Sequence, residues 1–324
     1  MEWAFKIRCS TNHSFGDGRP GKFYRFILTH FNRNKNMKKT TLFIFVGLQL
    51  LFMNCGEEKK KIDYGSNGGA YINIRGKKVY YEEYGSGMPL LLLSGGGHSR
   101  SIKDFERCIP GLSQHFRIIA PDTPAQGRSE QPDSISYEIL TETMSQLIDF
   151  LSVDSLYVMG WSDGGIVGIL LAERRADKVK KVIAVGANNG KRGFNIPAGI
   201  PLDSVVPPSK EVFEKLNKQL IEDYSKLPGK DWVKLLESLS KMVYADEYFS
   251  KSIYDSIKIP VMIVVGDRDD ISIQHGEEMY RSIKGSQFFV LPNTSHEVFK
   301  EQPELINQVA IDFFNETLRK ASSR

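Results

Sequence analysis

The clearest pattern in this chain is a set of short, unbroken apolar runs separated by stretches with a helical period. "PLLLLS" (89–94), "FRIIAPD" (116–122), "SLYVMG" (155–160), "VKKVIAVGA" (179–187), "PVMIVVGD" (260–267) and "SQFFVLP" (286–292) are runs of that kind. A strand that is apolar at consecutive positions buries both faces, the habit of parallel sheets covered by helices on each side. Between the runs, "SYEILTETMSQLIDFLSV" places Ile139, Leu140, Met144, Leu147, Ile148 and Leu151 three and four apart, one stripe of a helix. A second helical stretch carries Leu170 and Leu171, and a third, "PELINQVAIDFFNETL", closes the chain. Ahead of them all, "AYINIRGKKVYYEEYGSG" alternates and is broken at Arg75-Gly76, a hairpin signal. Strand and helix in repeated alternation predict an α/β fold: a mainly parallel sheet, right-handed crossovers and helices on both faces.

The alternation stops at residue 188. "NNGKRGFNIPAGIPLDSVVPP" reads as loop, and "SKEVFEKLNKQLIEDYSKL", "DWVKLLESLSKMVY" and "DEYFSKSIYDSI" read as helical before the sheet resumes at Ile259. An insertion over about 195–257 falls at the carboxyl ends of strands, where ligands bind in open α/β sheets. It is expected to act as a helical lid.

The first 69 residues fit neither pattern. Residues 1–36 are basic, rich in Asn, Gly and Phe, and without a period, and read as a leader upstream of the native start. "MKKTTLFIFVGLQLLFMNCGEEKKK" begins at Met37 with two lysines, an apolar run from Leu42 to Met53 and a cysteine. That is the layout of a secretory signal over 37–54, with an apolar run too short to span a bilayer comfortably. A cysteine directly after the run resembles a bacterial lipoprotein signal, in which Cys55 becomes the lipidated first residue. "FMNC" departs from that pattern by lacking small residues before the cysteine. The expectation is an extracytoplasmic protein held to a membrane through Cys55, with residues 55–69 as a tether and the domain proper over 70–324.

Charge adds one exclusion. The formal charge is +4, but residues 1–54 hold nine of the 43 Lys and Arg and two of the 39 Asp and Glu. That leaves 34 basic against 37 acidic side chains in the body, so nothing in its charge calls for nucleic acid. Of the three cysteines only Cys108 lies in the body, so no internal disulfide is expected there. Cys108 reads as a small packing residue. No CxxC, HExxH or His pair at metal spacing occurs, and neither a metal nor a cofactor is expected.

The candidate chemistry lies in "GWSDGG" (160–165). Strand "LYVM" leads into Gly160-Trp161-Ser162-Asp163-Gly164, and "GIVGILLAERR" leaves it as a helix: G-x-S-x-G in a strand–turn–helix setting. Such a turn strains the serine backbone, and side chains on either side of it would collide. Glycines at 160 and 164 remove them. Ser162 then projects above the sheet, and the Asp163 N–H at the helix start faces the place where an oxyanion would form. A serine hydroxyl is a weak nucleophile at neutral pH and needs a base. Past Ser162 only His275 and His296 are available. His296, in "LPNTSHEVF", follows a predicted strand directly; His275 opens the helix-like "IQHGEEMYRSIKG" and reads as a surface or capping histidine. "VVGDRDDIS" offers Asp267, Asp269 and Asp270 as orienting acids.

Over roughly 70–320 the chain resembles the α/β-hydrolase superfamily, whose order is Ser, acid, His. There the acid commonly follows a strand as G-x-x-D, which selects Asp269 from "GDRD" and leaves Asp267 to cap the turn and Asp270 solvated. The second oxyanion donor implied is a backbone N–H of "SGGGHS" (94–99), Gly96 by position, with Gly97 second. Ser94 stands where the superfamily often has His, a residue usually structural there. The three glycines lack the GK[ST] or the helix-opening spacing of a phosphate loop. His98 and Gly97 lie close enough to be candidate substrate contacts. "APDTPAQGRSEQP" matches the superfamily's D-x-x-x-x-G-x-S segment, in which Asp122 and Arg128 brace the active-site loops. "GWSDGGI" with "VIAVGANN" looks like the valacyclovir hydrolase, or biphenyl hydrolase-like, branch. In that branch an acid after the nucleophile can hold a substrate amino group, a role that would fall to Asp163; otherwise Asp163 is a carboxylate favoured by the helix dipole.

The function implied is a serine hydrolase cleaving a small ester, thioester or amide through an acyl-enzyme on Ser162, His296 and Asp269. Cofactor-free haloperoxidase and C–C bond hydrolase chemistry use the same three groups and stay open. So does a hydrolase-fold protein kept only for binding, although such proteins usually lack one of the three.

Overall fold

The computed structural model describes residues 64–65 and 68–315, so the leader, the signal-like segment, Cys55 and most of the tether expectation lie outside the described residues. Eight strands form one sheet: β1 Ala70–Ile74, β2 Lys77–Tyr84, β3 Pro89–Leu93, β4 Arg117–Pro121, β5 Leu156–Trp161, β6 Val179–Val185, β7 Val261–Gly266 and β8 Gln287–Leu291. Their spatial order is β1-β2-β4-β3-β5-β6-β7-β8. β1 with β2 and β2 with β4 pair antiparallel; every other pair is parallel. The hairpin is tight because Arg75 and Gly76 both take positive φ, +55° and +75°, which matches the twist of two-residue hairpins.

The unbroken apolar runs have the predicted cause. Along β3, Leu91 and Leu93 enter one core with Val158, Val182, Ala184 and Ile263. Leu90 and Leu92 enter the other, with Met159, Ile183, Val185 and Val264. The first face is covered by α2 (Tyr137–Phe150) and α3 (Asp163–Arg174), the second by α1 (Ile109–Leu112) and the C-terminal helix Pro303–Phe314. β3 sits between β4 and β5, so the chain order reverses across its carboxyl end and a crevice opens there.

Between β6 and β7 the chain forms four helices: α4 Lys210–Leu216, α5 Lys218–Ser225, α6 Trp232–Val243 and α7 Ser252–Ser256. The run read as one helix over "SKEVFEKLNKQLIEDYSKL" is broken at Asn217, with φ −127° and ψ 32°. "DEYFSKSIYDSI" keeps only the five helical residues of α7. Several contacts tie the insertion down, three of them near the 94–100 and 122–131 loops. The Tyr224 hydroxyl donates to the Ala125 carbonyl at 2.7 Å, the His98 ring bonds the Trp232 carbonyl at 2.9 Å, and the Lys230 ammonium donates to the Ser129 carbonyl. After β7 come α8 (Ile273–Ser282), then β8, α9 (Val298–Glu301) and α10 (Pro303–Phe314). No helix among the described residues is long and apolar enough to cross a membrane.

Candidate active site

Ser162 stands between β5 and α3 with φ +54° and ψ −120°, a conformation that costs a non-glycine residue roughly 1–3 kcal/mol. The surroundings impose it. A methyl group on Gly160 would lie 2.0 Å from the Gly164 carbonyl oxygen, and one on Gly164 would lie 2.2 Å from that of Leu93. The Ser162 N–H donates to the Val185 carbonyl at 2.7 Å, anchoring the turn to β6. Ser162 itself is half-buried.

His296 follows β8, and its Nδ1 lies 2.6 Å from Asp269 Oδ1. Asp269 follows β7, is buried, and accepts from the Ile271 N–H at 2.9 Å and the Gly266 N–H at 3.3 Å. Those donors fix the carboxylate, which in turn makes Nδ1 the protonated nitrogen and leaves Nε2 free to accept. Burial pulls the His296 pKa down. The Asp269 hydrogen bond and the charges of Asp269 and Asp270 outweigh it, and the net shift is upward from the ordinary imidazole value. Asp267 is exposed and accepts from the Thr294 N–H at 2.9 Å, bracing the loop that carries His296.

The 94–100 loop packs against the serine turn. A methyl on Gly95 would lie 3.3 Å from Ser162 Cβ, and one on Gly96 would lie 1.8 Å from Asp163 Oδ2. Gly97 takes φ +145°, beyond the reach of most side chains. The carboxylate of Asp163 is buried; Oδ1 accepts from the Tyr137 hydroxyl at 2.8 Å and Oδ2 has no hydrogen-bond partner. Burial raises its pKa to about 6 against the opposing Tyr137 hydrogen bond and the charges of His296 and Arg100. Asp122 accepts from the Ile102 N–H at 2.8 Å and the Arg128 N–H at 2.7 Å, joining the two loops it was expected to brace.

One histidine differs from its sequence reading, and a second is placed by the structure. His98, a candidate substrate contact, is buried against the insertion, its ring 5.0 Å from Tyr224 and 5.1 Å from Phe213. His275 is not a surface residue. It is buried, its Nε2 accepts from the Asn189 N–H at 2.9 Å, and burial lowers its pKa to about 4. Its position in the first turn of an amphipathic helix gave no sign that its ring turns inward under Gly193.

Sequence reasoning also passed over Gly186, Trp161 and Tyr137. Gly186 follows β6 directly with φ +57°, and a methyl there would come 2.9 Å from His296 Cε1. The signal was present, a glycine directly after a buried strand at the catalytic edge. Trp161 donates its indole N–H to the His296 carbonyl at 2.8 Å, a contact that no spacing rule predicts.

The residues 90–309 match the model of the alpha/beta hydrolase family. This chain belongs to that family. Its members among the curated relatives include the human serine hydrolase BPHL, 22% identical over 250 residues that cover 75% of this chain and 85% of the relative. A pimeloyl-[acyl-carrier protein] methyl ester esterase of Neisseria meningitidis is 24% identical over 254 residues, 72% of this chain and 78% of the relative. Among solved structures, a meta-cleavage product hydrolase from Pseudomonas fluorescens IP01 superposes with TM-score 0.60 at 22% identity, covering 77% of this chain and 98% of that one. An enol-lactonase from Burkholderia xenovorans LB400 gives TM-score 0.60 at 22% identity, covering 76% and all of that chain. The structural likenesses carry the fold; the family match makes this chain a hydrolase-family enzyme.

Proposed function

We propose that this hydrolase cleaves an ester, thioester or amide bond of a small substrate through an acyl-enzyme at Ser162. The observation that carries the reading is the 2.6 Å Asp269–His296 contact beside a serine held at φ +54° on a helix N-terminus. His296 Nε2 takes the Ser162 proton as Oγ bonds the carbonyl carbon, and the carbonyl π pair moves onto oxygen. Backbone N–H groups of Gly96 and Asp163 receive that oxyanion. Its collapse expels the leaving group, which takes the proton from His296. Water repeats the sequence: His296 accepts its proton, hydroxide bonds the acyl carbon, and Ser162 leaves with the proton returned.

The wild type is expected to turn over short activated esters with a burst of leaving group, the signature of an accumulating acyl-enzyme. Because a neutral His296 is required and its pKa is raised, activity falls as pH drops through a value above about 6.5. Turnover of a vinylogous diketone with no turnover of any ester, thioester or amide would move the chain to C–C hydrolysis.

One observation favours a finer reading of the substrate. Asp163 Oδ2 is buried without a partner next to the Gly96 donor, a seat that a substrate ammonium would complete. Aminoacyl esters are then preferred over their des-amino analogues, and Asp163→Asn removes that preference. Equal kcat/KM for the two esters would end this reading and leave the hydrolase intact. For the segment upstream of the domain we propose lipidation at Cys55 and an extracytoplasmic, membrane-held location. The support is the "KK", apolar-run and cysteine order alone. Mass spectrometry of the detergent-extracted protein tests it; an unmodified Cys55 excludes the anchor.

A further inference from the structure

Three catalytic loops meet on one side chain outside the Ser162, His296 and Asp269 set. Arg100 ends the 94–100 loop that supplies Gly96. Its guanidinium lies over the Trp161 ring, 4.3 Å from the centroid, and Trp161 is the residue before Ser162. Its Nη2 donates to Glu297 Oε1 at 2.9 Å, and Glu297 is the residue after His296. Nη1 lies 3.4 Å from Asp104 Oδ1, which holds the guanidinium from its own side. Trp161 closes the ring of contacts by donating to the His296 carbonyl at 2.8 Å. Arg100 thus touches the residue before the nucleophile and the residue after the base, and is itself four residues past Gly96.

An ion pair at the rim of a protein is worth little by itself. This one differs in being stacked on a buried indole and in joining segments that are 61 and 136 positions apart from Arg100 to Trp161 and from Trp161 to Glu297. A planar guanidinium performs both tasks at once, the stacking and the directed hydrogen bond; an ammonium has no plane to stack.

We propose that Arg100 is a positioning residue for the His296 base, clamping the His296 loop to the serine turn through Glu297 and Trp161. This rests on the serine hydrolase reading above. The clamp has an electrostatic consequence that packing alone lacks. His296 is faced by Asp269 and Asp270 from the loop after β7, by Asp163 from the serine turn, and by Arg100 from the 94–100 loop. The three carboxylates favour the imidazolium, and Arg100 is the cation that opposes them. Glu297, on the base's own loop, is neutralised by Arg100 and Lys300.

Two substitutions therefore move His296 in opposite directions. Arg100→Gln removes the opposing cation and exposes Glu297, so the His296 pKa rises and the acid limb of kcat/KM moves to higher pH. Glu297→Gln leaves the Arg100 charge uncompensated, so the limb moves to lower pH. In both, kcat on a small p-nitrophenyl ester falls by roughly 10- to 100-fold, the scale of a base displaced by about 1 Å, while KM stays within about twofold. Arg100→Lys keeps the charge and loses the stacking: the limb stays at the wild-type pH while kcat remains reduced. NMR titration of the His296 ring reads the same pKa changes with no substrate present, so the clamp is tested even if the reaction is another one.

Failure of the clamp and failure of the hydrolase reading give different results. A wild type that shows neither ester turnover nor burst overturns the reaction. A wild type that turns over esters, with Arg100→Gln retaining the wild-type kcat and His296 pKa, overturns the clamp alone. Equal losses of kcat in both variants, with lowered melting temperatures and an unmoved His296 pKa, also overturn it, because Arg100 would then be a packing residue.

Discussion

At the carboxyl ends of β3, β5, β6 and β7 the backbone is confined so closely that a single methyl group does not fit, whereas the insertion from α4 to α7 leaves large apolar side chains in solvent. Gly160, Gly164, Gly186 and Gly266 each face another part of the chain at 2.9 Å or less from where a Cβ would stand. In the insertion, Val212 is 48% and Leu216 is 74% exposed, and α4 buries no residue at all. The first region holds donors, a carboxylate and an imidazole to hydrogen-bond tolerances. The second packs Tyr224, Leu235, Met242, Phe249 and Tyr254 into the core on one side and is hydrogen-bonded to His98, Ala125 and Ser129, while its outer face stays in solvent. Reaction chemistry needs the first kind of construction, because misplacing a base by an ångström costs far more than any surface contact returns. Substrate selection tolerates the second.

The sharpest way to separate the two regions is to break the chemistry without breaking the fold. Asp269→Asn keeps the shape but no longer fixes the His296 tautomer. A loss of about 10⁴-fold in kcat is expected, by analogy with serine protease triads, with the melting temperature nearly unchanged. A variant with a tenth of the wild-type kcat would remove Asp269 from the mechanism.

Next in size is Gly164→Ala. Alanine favours a helix interior by about 1 kcal/mol over glycine. Here the added methyl would stand 2.2 Å from the Leu93 carbonyl oxygen, which belongs to a buried strand and cannot move aside. A net destabilisation of roughly 3 kcal/mol is expected, with loss of activity. Denaturant midpoints of the two forms decide it, and an unchanged midpoint would mean that the serine turn is looser than described.

A smaller effect tests the base of the insertion. His275 is neutral in the fold because burial, aided by Arg192, lowers its pKa to about 4. The unfolded chain binds its proton near pH 6.5, so between about 6.5 and 4 the unfolded state holds more protons. The stabilisation is complete above about 6.5 and is lost as pH falls toward 4. Replacing His275 by Gln, which keeps an acceptor for the Asn189 N–H, should flatten that part of the stability curve; identical pH dependence in both forms would exclude His275 as its source. The smallest effect is expected for Val212→Ser with Leu216→Ser. Their stability should lie within about 0.5 kcal/mol of wild type and turnover of small esters should be unchanged, since neither side chain is buried.

Much of the sheet was legible because its signals are local. Unbroken apolar runs such as "PLLLL" have one common explanation, and Arg75-Gly76 announces its own turn. The serine turn was legible for a similar reason: the G-x-S-x-G pattern is local, and Gly160 answers a steric need within five residues, although Gly164 answers to the distant Leu93 carbonyl. Asp269 was reached only through the superfamily's G-x-x-D order, since Asp267, Asp269 and Asp270 are equal candidates to a reader of "GDRDD". The structure separates them by burial, with Asp269 inside and Asp267 and Asp270 exposed. What stayed hidden is long-range. Tyr137 reaches Asp163 across 26 residues, Arg100 reaches Glu297 across 197, and His275 reaches Asn189 across 86. The helices of the insertion were found but not their ends, because Asn217 interrupts a period that otherwise continues.

The central claim is that Ser162 is an activated nucleophile, and fluorophosphonate labelling followed by peptide mapping tests it most directly. The account predicts one adduct, on Ser162, formed faster as pH rises through the His296 pKa and absent from Ser162→Ala. A folded wild type that takes up no label, or an adduct that persists in Ser162→Ala, would contradict it.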